Sequence, residues 1–554
     1  MLHTCYEVAG LQCGGASCSK GQADAGVRGV KAGFQRKTNR ERPRGLRGWP
    51  APLAAALCVL LALPACSLQP VASNAATVAT AEVGAAILAE VMAQVESGRF
   101  AQANTQIEAA LADAALPQEV RGALEFERER MRRIRLDFGL TRADAIERVR
   151  REIPSFTEAQ FDAFDAQGLM EGMTIDGERR YFNRAPSNLF RLSAEARALR
   201  PDPNKPFRDG PYEHLHRHHA EVLAAATNAG VRFVPPQRVR ITQTLTVDAD
   251  AVPAGELVKA WIPYPRVIAG QQQNLVFLAS DPQTHYIAPE DTLQRTVYLE
   301  KPARAGTPTD FSIRYELDIA AQHVAIDADK VVPTPGDPGL APFLAEEPPH
   351  IVFTDALRLY SARVVGDETN PYRIAQKLFA AVDTIPWAGA REYSTIRNIS
   401  DYALHAGHAD CGQQTLLLIA LLRLNGIPAR WQSGWTFSEA DADYANLHDW
   451  GQVFLAPYGW VPVDVTSGQL DSDAPSLRWF YLGGLDAYRI AFNDAISTPF
   501  DPPKQHLRSE TVDSQRGEVE WQGGNLYFEQ WDYGFTATIV PSIAAPTSPT
   551  GDAP

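Results

Sequence analysis

Cys411 stands in His408-Ala409-Asp410-Cys411-Gly412-Gln413-Gln414-Thr415, ahead of the apolar run Leu416 to Leu422, so it is expected to open a helix. A thiol there lies at the positive end of the helix dipole, which favours the thiolate. His448 follows 37 residues later in Asn446-Leu447-His448-Asp449-Trp450. Asp464 follows 16 residues after that in Gly459-Trp460-Val461-Pro462-Val463-Asp464. Cys, His and Asp are the parts of a thiol nucleophile, its base and the group that orients the base. The thiolate would attack an amide or ester carbonyl and form a thioester. The Cys411 backbone N–H, unpaired at a helix start, could help hold the oxyanion. Dipole and imidazolium together are expected to lower the thiol's pKa by several units from the ~8.5 of a free cysteine.

The elements that must position these groups are legible around them. The Cys411 helix stops at Asn425-Gly426-Ile427-Pro428, and strands are expected over 429–437, 450–455 and 460–464. Ala456-Pro457-Tyr458-Gly459 turns between the last two. Pairing across that turn brings His448 near Asp464. Asp449 alternates to the opposite face of the strand, so Asp464 is the better orienter. Another helix is expected around Asn370 to Val382.

This stretch resembles the transglutaminase-like superfamily, a papain-like fold. The resembling residues are Asp410-Cys411-Gly412, Leu424-Asn-Gly-Ile-Pro-Ala-Arg430, Ser433-Gly434, His448-Asp449-Trp450 and Tyr458-Gly-Trp-Val-Pro-Val-Asp464. The resemblance implies an α+β fold with a Cys-bearing helix packed on an antiparallel sheet. It implies Cys411 as nucleophile, His448 as base and Asp464 as orienter. It also implies a transamidase, peptidase or amidase activity, with Trp387 as a candidate oxyanion-stabilising side chain. Gly412, Gln413, Trp435 and Trp450 are candidates for the substrate cleft, Gly412 because it would let a substrate approach closely.

The chain has 554 residues, 45% hydrophobic and 21% charged, as expected for several globular domains. Its first fifty residues are basic, and Ala51 to Ala65 is a short uncharged apolar run ending in small residues. This describes a secretory signal, too short for a comfortable membrane span. Leu63-Pro64-Ala65-Cys66 resembles a bacterial lipobox, in which Cys66 is lipidated and becomes the new N-terminus. Ser67 after it implies retention at the outer membrane. Removing the nine basic and three acidic residues of 1–65 takes the formal net charge from −14 to −20. That argues against a nucleic-acid partner and leaves membrane attachment to acyl chains. Of six cysteines, only Cys411 is then neither removed nor lipidated.

The expected organisation is a signal peptide with lipobox at 1–65 and a tether at 66–80. A helical region at 81–235 and a β-sandwich-like domain at 236–345 follow. The transglutaminase-like core occupies 346–480, a C-terminal β extension 481–540 and a disordered tail 541–554. Within the helical region, Thr141-Arg-Ala-Asp144 and Thr157-Glu-Ala-Gln160 read as capping boxes, and Ile175-Asp176-Gly177-Glu178 as a hairpin. Glu125 to Arg135 reads as a solvated charged helix. His214-Leu-His216-Arg-His218-His219 fits no zinc spacing and reads as polar helix surface; His405 and His408 read as an exposed loop. No metal or cofactor is expected. The expected function is thiol-dependent acyl transfer on peptide or glutamine-type amides by an envelope lipoprotein, by hydrolysis or transamidation. The alternative is a non-catalytic envelope scaffold that uses the same core for recognition.

Overall fold

The computed structural model describes residues 73–205, 207, 215–437 and 445–540. The signal, the lipobox with Cys66, and the tail from 541 lie outside them. The chain divides into two compact units, the boundary falling between Arg128 and Glu129 inside the helix Gln118–Asp137.

The smaller unit carries the helices Ser73–Glu96 and Phe100–Leu111 and the start of Gln118–Asp137. Its buried apolar residues include Val91, Val95, Phe100, Ala103, Ile107 and Leu124. The first helix begins at Ser73, within the stretch expected to be a tether. No proline or glycine interrupts the alanine-rich sequence from there to Val83, and alanine is the strongest helix former.

In the larger unit, the remaining helical residues are built as the capping signals imply. Thr141 with Asp144 and Thr157 with Gln160 form reciprocal capping boxes. Asp176 and Gly177, both with positive φ, form the two-residue turn of a hairpin between Gly172–Ile175 and Glu178–Tyr181. The helical region is not a separate body, because residues from 129 onward belong with the core. Arg130 donates to the Thr395 carbonyl (3.2 Å), and Arg133 to those of Ser509 (3.1 Å) and Arg508 (2.8 Å). Both arginines are buried, contrary to the solvated face expected of that helix. Carbonyl partners and the Tyr527 ring, 4.4 Å from the Arg133 guanidinium, compensate the buried charge.

Two antiparallel sheets form the β domain. One orders the strands Gly524–Leu526, Glu518–Trp521, Leu257–Pro263, Thr296–Pro302 and Tyr286–Ile287. The other orders Trp531–Ile539, Gln237–Val247, Thr309–Ile319 and Gln272–Asp281. Every second residue of Thr309–Ile319 is buried, so one face of that strand meets the core. Apolar residues of both sheets share that core, and Gln243 spans them, donating to the Pro263 carbonyl and to Tyr315 Oη (both 2.8 Å). The sequence 481–540 is therefore not an appended extension. Its strands complete both sheets, Trp531–Ile539 pairing along Val239–Val247.

The catalytic-type core has one four-stranded antiparallel sheet, ordered Gly459–Val463, Ala445–Leu455, Ala429–Phe437 and Arg489–Asn493. Its fourth strand lies beyond residue 480, where the core was expected to end. The helix Cys411–Leu424 packs on this sheet and is buried from Cys411 through Arg423, as a helix apolar on all sides must be. Thr415 Oγ1 ties it to the Asp449 carbonyl (3.2 Å). Asn370 caps the neighbouring helix Pro371–Asp383. No helix of the described residues is long and apolar enough to cross a membrane.

Candidate active site

Asp410 is the N-cap of the Cys411 helix. Its carboxylate accepts from Gln413 N (3.1 Å), and the Gln413 side chain accepts from Asp410 N (3.1 Å). Cys411 is thus the first helical residue, and its N–H has no intrahelical partner. One residue register brings in the other two groups. Gly451 pairs with Val463, so His448 lies just beyond the end of the Gly459–Val463 strand, beside Asp464. His448 Nε2 is 2.7 Å from Asp464 Oδ2, and Nδ1 makes no hydrogen bond to the described residues.

Asp464 is fully buried and densely held. Oδ1 accepts from the backbone N–H groups of Thr466 (3.1 Å) and Ser467 (3.0 Å). Oδ2 accepts from Ser467 Oγ and Arg489 Nη1 (both 2.7 Å) in addition to His448. Burial alone would raise this carboxyl's pKa. The adjoining His448 and Arg489 charges outweigh that and hold it well below the usual carboxylate range. Arg489 is itself buried and bridges to Asp486. Asp486 accepts from Tyr481 Oη (2.9 Å), and Tyr481 lies 2.9 Å from His219 Nε2. His219 Nδ1 accepts from His216 N (3.0 Å), so Nε2 carries the proton and donates to Tyr481. His219 is therefore a buried member of this chain rather than polar helix surface. Burial and the neighbouring His218 lower its pKa to about 4. His408 is also buried, 3.8 Å from Glu171, whereas His405 is exposed. Among the described residues no group of three or more His, Cys, Asp or Glu is placed to hold a metal ion.

The cysteine differs from expectation. Its Sγ donates to Asp449 Oδ2 (3.2 Å) and makes no hydrogen bond with His448. Burial first, then the Asp449 and Asp410 carboxylates, push the Cys411 thiol well above its ordinary pKa. The helix dipole is opposed by acids placed at the same helix end, a countercharge that reasoning from the dipole alone leaves out.

The expected cleft residues have other work. Trp450 is fully buried, donating to Gln432 Oε1 (2.9 Å) and stacking beneath His448, with ring centroids 5.9 Å apart. Trp435 donates to the Gln515 carbonyl (2.9 Å) and stacks on Phe535 at 4.4 Å. Gln413 closes the capping box with Asp410. Trp387 pairs by its backbone with Ala409, two residues before Cys411, and the Arg191 guanidinium lies 4.5 Å from its ring. Gly412 gives its space to the protein itself. A Cβ there would meet Tyr393 Oη at 2.1 Å and Asp449 Oδ2 at 2.7 Å. Gly412→Ala is expected to cost about 1–3 kcal/mol by overpacking, measured by urea unfolding. Only part of that cost should be relieved in a Tyr393→Phe background, because the ring carbon Cζ and Asp449 Oδ2 would each still lie at 2.7 Å.

Arg489, Asp486, Tyr393 and Gln515 were not foreseen. Asp464-Val465-Thr466-Ser467 carried a readable signal, because an aspartate two and three residues before Thr and Ser favours a turn closed on its own carboxylate. Arg489 carried none, since its place depends on pairing with a strand over 50 residues earlier.

Residues 358–465 match the model of the transglutaminase-like superfamily. Among solved structures, a candidate cysteine protease from Cytophaga hutchinsonii aligns at 14% identity and a TM-score of 0.37. That alignment covers 57% of this chain and 94% of the other. The periplasmic domain of TgpA from Pseudomonas aeruginosa aligns at 14% identity and a TM-score of 0.23, covering 43% and 93%. No curated protein matches the chain. The matched segment 358–465, which contains Cys411, His448 and Asp464, is similar to the transglutaminase-like superfamily.

Proposed function

We propose that this chain catalyses thiol-dependent acyl transfer on peptide or glutamine-type amides. Cys411 is the nucleophile, His448 the base and Asp464 its orienter. The observation that carries this reading is the 2.7 Å His448 Nε2–Asp464 Oδ2 contact, which leaves Nδ1 without a partner on the strand that packs against the Cys411 helix. The thiol proton passes to Nδ1, and sulfur attacks the carbonyl carbon. The amine leaves with the proton from His448, and a thioester remains. Water or a second amine then attacks the thioester and regenerates the thiol. In this reading the enzyme is held by acyl chains on Cys66 at the periplasmic side of the outer membrane, its substrate a peptide or protein of the envelope. A net charge of −20 after removal of 1–65 speaks against nucleic acid as a partner.

One observation favours the non-catalytic alternative: the thiol is 3% exposed and engaged by a carboxyl group. The deciding experiment incubates the full-length protein with cell-envelope extract and weighs the Cys411 peptide. An added acyl mass that neutral hydroxylamine removes is the expected result. An unmodified Cys411 peptide, together with no turnover of amide substrates, would favour the scaffold.

A further inference from the structure

The Cys411 sulfur is surrounded by acids, and one of them is aimed at it. Asp449 Oδ2, which accepts the thiol hydrogen, also lies 3.4 Å from Tyr393 Oη, whose shorter bond is to Asp410 Oδ1 (2.8 Å). The other Asp449 oxygen is fixed by Gln515 Nε2 (2.9 Å), which also donates to the carbonyls of His448 (2.8 Å) and Gly434 (3.1 Å). Two separate elements therefore fix the direction of the carboxyl group. Gly412 supplies the room, because any side chain there would displace Tyr393 or Asp449.

The groups facing Asp449 are mostly of its own sign. Asp410 faces it from the start of the Cys411 helix, and Asp513 and Glu510 from the loop behind. Asp513 is buried as well, and two buried carboxyl groups that act on each other do not both ionise readily. The cations of that loop, Arg508 and Arg516, act on Asp513 and Glu510 and are not bonded to Asp449 itself. Arg516 is bound to Glu392 and Glu510, and Arg508 to the Asp513 carbonyl and Gln294. Burial and the neighbouring Asp513 and Asp410 push Asp449 well above the usual carboxylate range, and Asp513 is pushed up to about 6.

We propose that Asp449 is a positioning residue that sets the resting state of Cys411. It holds the thiol hydrogen and keeps the sulfur engaged with itself rather than with His448. Releasing the thiol from the Asp449 carboxyl frees the sulfur to engage Nδ1. The proton stays on sulfur as the bond breaks and then moves to His448, leaving a thiolate and an imidazolium. The inference rests on the proposed roles of Cys411 and His448, but its test reads the thiol without any amide substrate.

The test is the rate of iodoacetamide alkylation of Cys411 in the folded protein from pH 5 to 10, with amide turnover measured in parallel. Wild type should titrate above the ~8.5 of a free thiol. Asp449→Asn removes the acid and offers the sulfur a donor, so its midpoint should fall by at least about one unit, roughly tenfold faster alkylation at pH 7. Asp513→Asn is the second variant, should Asp449→Asn fail to fold. It relieves the acid pressing on Asp449, lets that group hold its charge, and should slow alkylation. An unchanged or raised midpoint in Asp449→Asn, or faster alkylation in Asp513→Asn, overturns the proposal. If the midpoints move as expected while no variant turns over an amide, the positioning role stands and the acyl-transfer reading fails.

Discussion

Cys411→Ala should abolish acyl transfer, lowering kcat/KM by about 10⁴-fold or more, as removing a nucleophile from an interdependent triad does. The protein should otherwise remain itself. The side chain is small, 3% exposed, and hydrogen-bonds to an Asp449 carboxyl that Gln515 still holds. Far-UV and near-UV spectra should match wild type, so the loss would belong to chemistry rather than folding. The readout is ammonia or amine release from a glutamine-containing peptide mixture, with mass analysis for thioester. Full activity in Cys411→Ala would rule out a thiol mechanism. His448→Ala should fail in the same assays, and by a similar factor, because one hydrogen-bonded pair carries the proton.

Most of this site was legible because its parts are local. Cys411 is marked by the change from a polar loop to an apolar run. His448 and Asp464 are tied by one short turn, and the register of a two-strand hairpin is set by its turn. The capping boxes at Thr141 and Thr157 and the hairpin at Asp176-Gly177 are local in the same sense. What the sequence hid depends on distant chain segments. Strand Arg489–Asn493 enters the core sheet beside Ala429–Phe437, and Trp531–Ile539 lies along Gln237–Val247, across separations no periodicity encodes. Charge was the other blind spot. Arg130, Arg133, Asp449, Asp513 and Glu510 look like surface residues by type, yet all are buried. A charged side chain reads as exposed until its surroundings are known, and several of the contacts that bury these come from distant segments, as Thr395 does for Arg130 and Ser433 for Asp513. The expected low Cys411 pKa failed for this reason: Asp410 and Asp449 were in view, but their burial beside the sulfur was not.

The arrangement around Asp464 shows why remote residues matter to a local triad. A fully buried carboxylate needs compensation, and here it comes from two cationic groups and two backbone donors. His448 is the group whose proton must move, so it cannot be the constant partner. Arg489 can be, because a guanidinium keeps its charge throughout. It also binds Asp486, so one buried cation compensates two buried anions.

Arg489→Met is therefore expected to have the largest effect on stability, about 3–5 kcal/mol, because it removes the guanidinium that compensates both buried carboxylates, Asp464 and Asp486. Chemical denaturation at pH 7 measures it. Each acid is held well below the usual carboxylate range in the folded protein. Their pairing thus stabilises above the unfolded value of ~3.9 and is lost as pH falls through the folded value. The variant should lose that advantage, so its deficit should stay full from pH 7 down to about pH 4 and shrink only on acidification below that. Activity should change in a second, separable way. With Arg489 gone, Asp464 has His448 as its sole cationic partner and holds the imidazolium more tightly. The limb of the pH–rate profile that reports this pair should move to higher pH. An Arg489→Lys variant keeps the charge but not the two-carboxylate fork, so it should recover more stability than positioning. A pH-independent loss of stability with an unmoved rate profile would mean that Arg489 is packing alone. A deficit that grows with pH, with a displaced limb, would tie it to the charge on Asp464 and through that charge to His448.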